Sequence, residues 1–201
     1  MTPTPRTIKK ELRKHMREQR RGLSQTIHQW SSKKLALRLQ RMPAYKKAKN
    51  IAFYLPSDGE ISLAFLINLA WSTHKTCYLP VIKSNNKMEF ARFSRGDKLT
   101  CNKYNIREPQ KKSVRIPIKN VDLVLLPLVA FDNKCHRLGM GGGYYDRILH
   151  FKRKFNRRNK YIKPILIGVA YDFQRCEAIP TETWDIAVNH IVTDQKTYNT
   201  V

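Results

Sequence analysis

Carboxylates are scarce in this 201-residue chain: 15 Asp and Glu stand against 39 Lys and Arg, a formal net charge of +24. Such a field draws polyanions and speeds their encounter, so nucleic acid, ATP, phosphorylated metabolites and poly-acidic cofactors are the partners it admits. Long apolar runs are missing as well. None approaches the ~20 residues a bilayer requires, and the N-terminal MTPTPRTIKKELRKHMREQRR carries charge with no apolar segment behind it. Neither membrane spanning nor classical secretion is expected. The four cysteines (Cys77, Cys101, Cys135, Cys176) contain no CxxC pair and the six histidines no HExxH, which argues against a zinc knuckle or a thioredoxin-like redox site. Cys135 and His136 adjoin, with Asp132 nearby, but neighbours in one loop rarely form a metal site alone. Reduced thiols in a cytoplasmic protein are the expectation.

What is present is enough for a core. A hydrophobic share of 41% with 10% aromatics is too rich for a disordered polyelectrolyte. A fold of this length buries roughly 70% of its unfolded surface, and residues 1–201 are read as a single domain. The basic residues come in blocks, Lys9 to Arg21, Arg107 to Lys119 and Lys152 to Lys163; a solvated surface without a dedicated ligand is the plain reading of that clustering.

The N-terminal fifth reads as helical. Thr7 is placed to cap a segment in which Ile8, Leu12 and Met16 recur every four residues, with Gly22 as the stop. Ser24 caps a second helix in which Leu35, Leu39 and Met42 share a face before Pro43 ends it. From residue 50 short apolar runs alternate with helical or turn segments. IAFYL, TCYLPVI, MEFARF, VDLVLLPLV, PILIGVAY and IAVNHIV are six predicted strands; LAFLINLAW, capped by Ser62, and about Tyr144 to Phe151 are predicted helices. That alternation predicts an α/β fold, a mostly parallel sheet with helices on both faces behind an N-terminal basic helical segment. Ser94 to Asn120 reads as a polar surface excursion.

In open α/β sheets ligands gather beyond the carboxyl ends of the strands. Three strand-exit loops hold five of the eight glycines and many of the rare acids: PSDGE ending at Glu60, AFDNKCHRLGMGGGYYD ending at Asp146, and the stretch after VAYD that runs to Asp185. Gly139, Gly141, Gly142 and Gly143 precede a helix start at Tyr144, so several backbone amides beside a helix N-terminus could face one anion, typically a phosphate; a tight or flexible turn is the alternative use of glycine. The loop is neither GxxxxGK[ST] nor a full GxGxxG, which leaves a P-loop kinase or a dinucleotide-binding unit unsupported. Asp146 could hold magnesium against bound phosphates or serve only as a first-turn acid favoured by the dipole. Tyr145 could stack on a planar ring or belong to the core. Arg137 is placed to neutralise charge developing in phosphoryl transfer.

The strings RLGMGGGYYDRIL (Arg137 to Leu149), FYLPSDGEI (Phe53 to Ile61), LLPLVAFD (Leu125 to Asp132) and IPTETWDIAVNHIVT (Ile179 to Thr193), behind a basic KKELR helix, resemble the 5-formyltetrahydrofolate cyclo-ligase (methenyltetrahydrofolate synthetase) family over nearly the whole chain. The resemblance implies a three-layer α/β/α sandwich. It also implies conversion of 5-formyltetrahydrofolate and ATP, with magnesium, into 5,10-methenyltetrahydrofolate, ADP and phosphate. It implies ATP contacts at Lys9 and Arg13, with Lys10 a rival for the lysine role, and at Arg137, Leu138, Gly139, Met140, Gly141, Gly142, Gly143, Tyr144 and Tyr145. Folate contacts follow at Leu55, Glu60 and the stretch Gly139 to Gly143, magnesium ligands at Asp146 and Asp185, and catalytic roles for Arg137 and Tyr145. Met140 and Gly142 stand where many members carry a basic residue, which leaves Arg137 and the first helix more of the phosphate charge; Asn189 stands where another acid is common. A folate with a glutamate tail suits the basic surface, and a monomer is expected. The competing readings are a nucleic-acid-binding protein, which predicts steeply salt-dependent binding, and another α/β enzyme acting on phosphorylated metabolites at the same strand ends.

Overall fold

The structure is a computed structural model and describes residues 4–83, 87–102, 104–155 and 163–200. The third basic block, Lys152 to Lys163, falls mostly outside the described residues. Helices α1 (Pro5–Arg21), α2 (Gln25–Leu39) and α3 (Pro43–Lys47) lead into strand β1 (Asn50–Ala52), helix α4 (Ala64–Ser72), then β2 (Thr76–Ile82) and β3 (Met88–Phe93). Short strands β4 (Leu99–Cys101), β5 (Arg107–Pro109) and β6 (Arg115–Ile116) follow, then β7 (Leu123–Pro127), β8 (Ala130–Phe131), β9 (Arg137–Leu138) and helix α5 (Tyr144–Ile148). The chain ends with β10 (Ile165–Ala170), β11 (His190–Thr193) and β12 (Thr197–Asn199).

Eight strands form one sheet in the order β12-β11-β10-β7-β1-β2-β3-β6. The five central strands, β11 to β2, run parallel, and β12, β3 and β6 pair antiparallel at the edges. The central strands are unbroken apolar runs because both faces are covered. Along β7, Leu123 and Leu125 point into a core built with α2, α3 and α4, while Val124 and Leu126 point into a second core with Leu149, Ile186, Val188 and the partly buried Tyr144 and Tyr145. The α/β expectation holds, with a parallel centre and antiparallel rims.

Local chemistry moves several predicted boundaries. Thr4, not Thr7, caps α1: its hydroxyl accepts from the Thr7 amide at 3.3 Å, and Pro5 takes the first turn, where a missing N–H costs nothing. Ser24 caps α2 as expected, but that helix stops at Leu39, and Pro43 opens α3 rather than closing α2. The helix after Ser62 begins at Ala64, whose amide donates to the Ser62 hydroxyl at 3.2 Å. The helix expected from Tyr144 to Phe151 is α-helical only to Ile148 and tightens into a 3₁₀ turn over His150–Phe155. The largest departure is Ser94 to Asn120, which contains β4, β5 and β6; Glu108 ties the β4–β5 hairpin to β2 by accepting from the Ile82 amide at 3.2 Å.

Helix α1 does not lie on the sheet. It crosses the strand exits, packing Met16 against Val129, Ala130, Leu138 and Ile179. Arg20, fully buried, donates from Nη1 to the Leu128 carbonyl at 3.3 Å and from Nη2 to Asp58 Oδ2 at 2.8 Å. Arg17 (2.7 Å) and Arg21 reach the same carboxylate. Burial alone would raise the Asp58 pKa, but the hydrogen bonds from Arg17, Arg21 and Arg20 outweigh it and hold the carboxyl below its ordinary value. The turn at Gly59 (φ 74°) is pressed so close that a Cβ there would stand 3.0 Å from the Arg20 carbonyl oxygen, so only glycine fits both the backbone and the space. This latch fixes the first helix over the loop that carries Glu60.

Candidate active site

A cavity of about 1170 Å³ opens where α1, the glycine loop and the strand exits meet. Its walls include Lys9, Arg13, Leu55, Glu60, Arg137 through Asp146 and Asp185. Lys10, one residue from Lys9, is exposed and is not part of the wall.

The β8–β9 hairpin delivers Arg137, and the glycine loop turns the chain back into α5. Gly143 holds a left-handed conformation (φ 62°) at the helix start, where a Cβ would stand 2.8 Å from the Arg147 guanidinium. Two arginines grip the loop by its carbonyls: Arg13 Nε donates to Gly139 at 2.8 Å and Arg147 Nη2 to Gly142 at 2.7 Å. Burial lowers the Arg13 pKa, an effect Asp185 partly reverses; the guanidinium stays charged. Because α5 is only five residues long, its dipole is short, and the arginines and Lys9 carry the positive potential.

The acids here are already partnered. Arg137 Nη2 donates to Asp146 Oδ1 at 2.6 Å with the arginine side chain only 6% exposed, and the Ile186 amide donates to the same oxygen at 3.3 Å. Arg137 Nε is buried without a hydrogen-bond partner, a donor waiting for an acceptor. Asp185 caps its own turn by accepting from the Glu182 amide at 2.9 Å. Lys9 Nζ lies 3.3 Å from Glu182 and 3.9 Å from Asp185.

The wall around Glu60 has a different character. Glu60 Oε2 accepts from the Ser57 amide at 3.1 Å, yet desolvation dominates and pushes its carboxyl up to about 7, despite the Ser57 hydrogen bond and the charge of Arg20. Burial, followed by the charge of Glu60, pushes the Tyr145 hydroxyl far above its ordinary value, with Arg137 opposing. Tyr145 is therefore a protonated donor close enough to feel both Glu60 and Arg137.

Sequence reasoning missed the rest of the wall. Asn102, Tyr104, Asn105, Ile106 and Arg107 come from the β4–β5 hairpin, and the Tyr104 and Tyr144 hydroxyls meet at 2.7 Å. Strands of three residues carry no readable period; Tyr104 beside an Asn-rich turn was the only available signal. Glu182 and Trp184, inside the quoted TETWD, also line the cavity. The Cys135–His136–Asp132 neighbourhood serves the hairpin instead: buried Asp132 accepts from His136 Nδ1 at 2.9 Å and from the Lys134, His136 and Ile179 amides.

The model of the 5-formyltetrahydrofolate cyclo-ligase family matches residues 5–194. The chain belongs to this family. It is 35% identical over 187 residues to 5-formyltetrahydrofolate cyclo-ligase from Haemophilus influenzae, covering 92% of this chain and 96% of that protein. It is likewise 35% identical over 187 residues to the Escherichia coli K12 protein of the same name, covering 91% and 98%. The NMR structure of 5,10-methenyltetrahydrofolate synthetase from Aquifex aeolicus superposes with a TM-score of 0.80 at 34% identity, covering 96% of this chain and 93% of that one. Among the described residues no helix is long and apolar enough to cross a membrane.

Proposed function

We propose that this chain closes the ring of 5-formyltetrahydrofolate to give 5,10-methenyltetrahydrofolate, with ATP converted to ADP and phosphate. The observation that carries the reading is the composition of one cavity: paired cations and acids around a glycine loop, and a desolvated carboxyl with a protonated tyrosine beside them.

The formyl group on a ring nitrogen is an amide whose oxygen leaves poorly. That oxygen attacks the γ-phosphorus of ATP, the bond to ADP breaks, and a phosphorylated imidate-like intermediate results. The second folate nitrogen adds to the activated carbon and gives up its proton, and the C–O bond breaks as phosphate departs with that proton and the methenyl bridge forms. No protein nucleophile is required, so the chain's task is positioning and charge neutralisation. Arg137 donates its orphan Nε–H to the phosphoryl oxygens, Lys9 and Arg13 neutralise the phosphate chain from α1, and Tyr145 donates between the phosphoryl group and the pterin. Glu60, once ionised, accepts the paired amide and amino hydrogens of the pterin edge, and Leu55 packs beside it.

Asp146 and Asp185 are the residues to hold magnesium. Among the described residues no three His, Cys, Asp or Glu side chains cluster as a metal cage, and two carboxylates on a phosphate-binding cavity are the donor set of a hard cation that shares its shell with phosphate oxygens and water. When bound, the ion supplies charge to the phosphates.

The +24 charge steers folates bearing glutamate tails; raising salt should then raise the Michaelis constant for a polyglutamated substrate. We place the chain in the cytoplasm as a monomer. The test is the absorbance of methenyltetrahydrofolate formed from 5-formyltetrahydrofolate: product is expected only with ATP and magnesium, and product formed equally without ATP would sink the reading.

A further inference from the structure

The phosphate-side cations and the acids proposed for magnesium hold one another in this structure. Arg137 sits on Asp146 at 2.6 Å, and Lys9 lies between Glu182 at 3.3 Å and Asp185 at 3.9 Å. A cation committed to a carboxylate is not available to a phosphate at full strength, and a carboxylate covered by an ammonium is not available to a metal. The two pairs differ in commitment. Arg137 and Asp146 are 6% and 19% exposed, a short, desolvated pair. Lys9 is only 14% exposed, but Glu182 is 40% exposed and the contact is longer, so this is the pair that exchanges at small cost.

We propose that Glu182 is a positioning residue: it parks the Lys9 ammonium over Asp185 while the cavity is empty of nucleotide, so that nucleotide and magnesium bind together and neither binds well alone. Metal-free ATP must draw Lys9 away from two carboxylates and then face both bare. Magnesium alone must displace an ammonium from Asp185. Arriving together, the cation would take Asp185 while the phosphates take Lys9, and only the partly exposed Glu182 carboxylate is returned to water. Glu182 is suited to this because its carboxylate reaches Lys9 while its backbone amide donates to Asp185 Oδ2 at 2.9 Å, so one residue orients both members of the exchange. The inference rests on the proposed nucleotide and magnesium site.

The test is calorimetric titration of ATP, in EDTA and in saturating magnesium, into the wild-type chain, Glu182→Gln, Lys9→Met and the double variant. Glu182→Gln keeps the backbone amide and the size of the side chain. In EDTA it is expected to bind ATP roughly three- to five-fold more tightly than wild type, the worth of one partly exposed ion pair. In saturating magnesium the two should agree within about two-fold, and in the Lys9→Met background the Glu182 change should have no effect in either condition. If Glu182→Gln fails to tighten metal-free ATP, or tightens it equally with and without Lys9, the carboxylate acts by plain repulsion or not at all, and the inference is overturned. A wild-type chain that binds 5-formyltetrahydrofolate but no ATP even with magnesium overturns the functional reading itself, and this inference with it.

Discussion

The glycine-loop side of the cavity and the Glu60 side hold charge in opposite ways. Around the loop, Arg137, Lys9, Asp146 and Asp185 are close-set and mutually neutralised. At Glu60 one carboxyl is left largely to desolvation, with a Ser57 amide for support, and its pKa climbs to about 7. Paired charges cost the fold little and can be re-partnered by a ligand; a desolvated acid costs the fold something at neutral pH and recovers it when a donor-rich ring edge arrives. The difference predicts which substitutions remove turnover, which remove substrate affinity, and which trade affinity for stability.

The largest effect belongs to the paired side. Arg137→Ala removes the buried donor and strands Asp146, so kcat in the methenyltetrahydrofolate assay should fall by about 10² to 10³. Asp146→Ala should fall by a similar factor, with the far-ultraviolet spectrum of each variant unchanged. Equal rates in either variant would detach that residue from the chemistry.

Glu60→Gln should act on the other quantity. Losing charge-assisted bonds to the pterin should raise the Michaelis constant for folate roughly ten- to hundred-fold, with a smaller change in the constant for ATP. Its stability should move the other way. The folded chain keeps the Glu60 proton up to about pH 7, whereas the ordinary value is 4.5, so between these values the folded state binds more protons than the unfolded state and stability falls as pH rises. Above pH 7 the full cost is present, and Glu60→Gln should stabilise the chain at pH 8 by about 1–3 kcal/mol and have little effect at pH 4.5. Denaturant midpoints at the two pH values measure this. For the same reason folate affinity in the wild type should weaken below pH 7, by about ten-fold per pH unit once Glu60 is mostly protonated, while ATP affinity at the paired side should follow it far less.

The two sides were also unequally legible in the sequence. Strands β2 and β3 match their apolar strings residue for residue, because runs of six or seven β-forming residues bounded by polar ones admit little else. The loops that lead to Glu60, Asp146 and Asp185 were singled out by topology, the general rule for open sheets, and the separate ligand roles of these acids came from the family resemblance. The Asp58 latch with Arg17, Arg20 and Arg21 was not legible: it depends on α1 crossing the exits, a long-range placement that a basic helix with a narrow apolar stripe does not announce. Nor was the Tyr104 wall, whose strands are too short for periodicity to separate from a loop. Motif strings located the paired side and left out the residues that enclose it.

The smallest effect separates two neighbouring lysines. Lys9 and Lys10 both carry charge into the N-terminal block, and the family resemblance gave the nucleotide contact to either. A helix rotates successive residues by about 100°, so neighbours cannot share a face. Lys9 enters the cavity wall and meets Glu182, whereas Lys10 faces solvent. Lys9→Ala should therefore raise the Michaelis constant for ATP by about three- to ten-fold, the worth of one partly buried cation on a phosphate. Lys10→Ala should shift it less than about two-fold, since an exposed charge is largely screened at physiological salt. Comparable shifts in both variants, disappearing together at high salt, would show that the first helix acts on nucleotide through its overall field rather than through the one ammonium that its geometry turns inward.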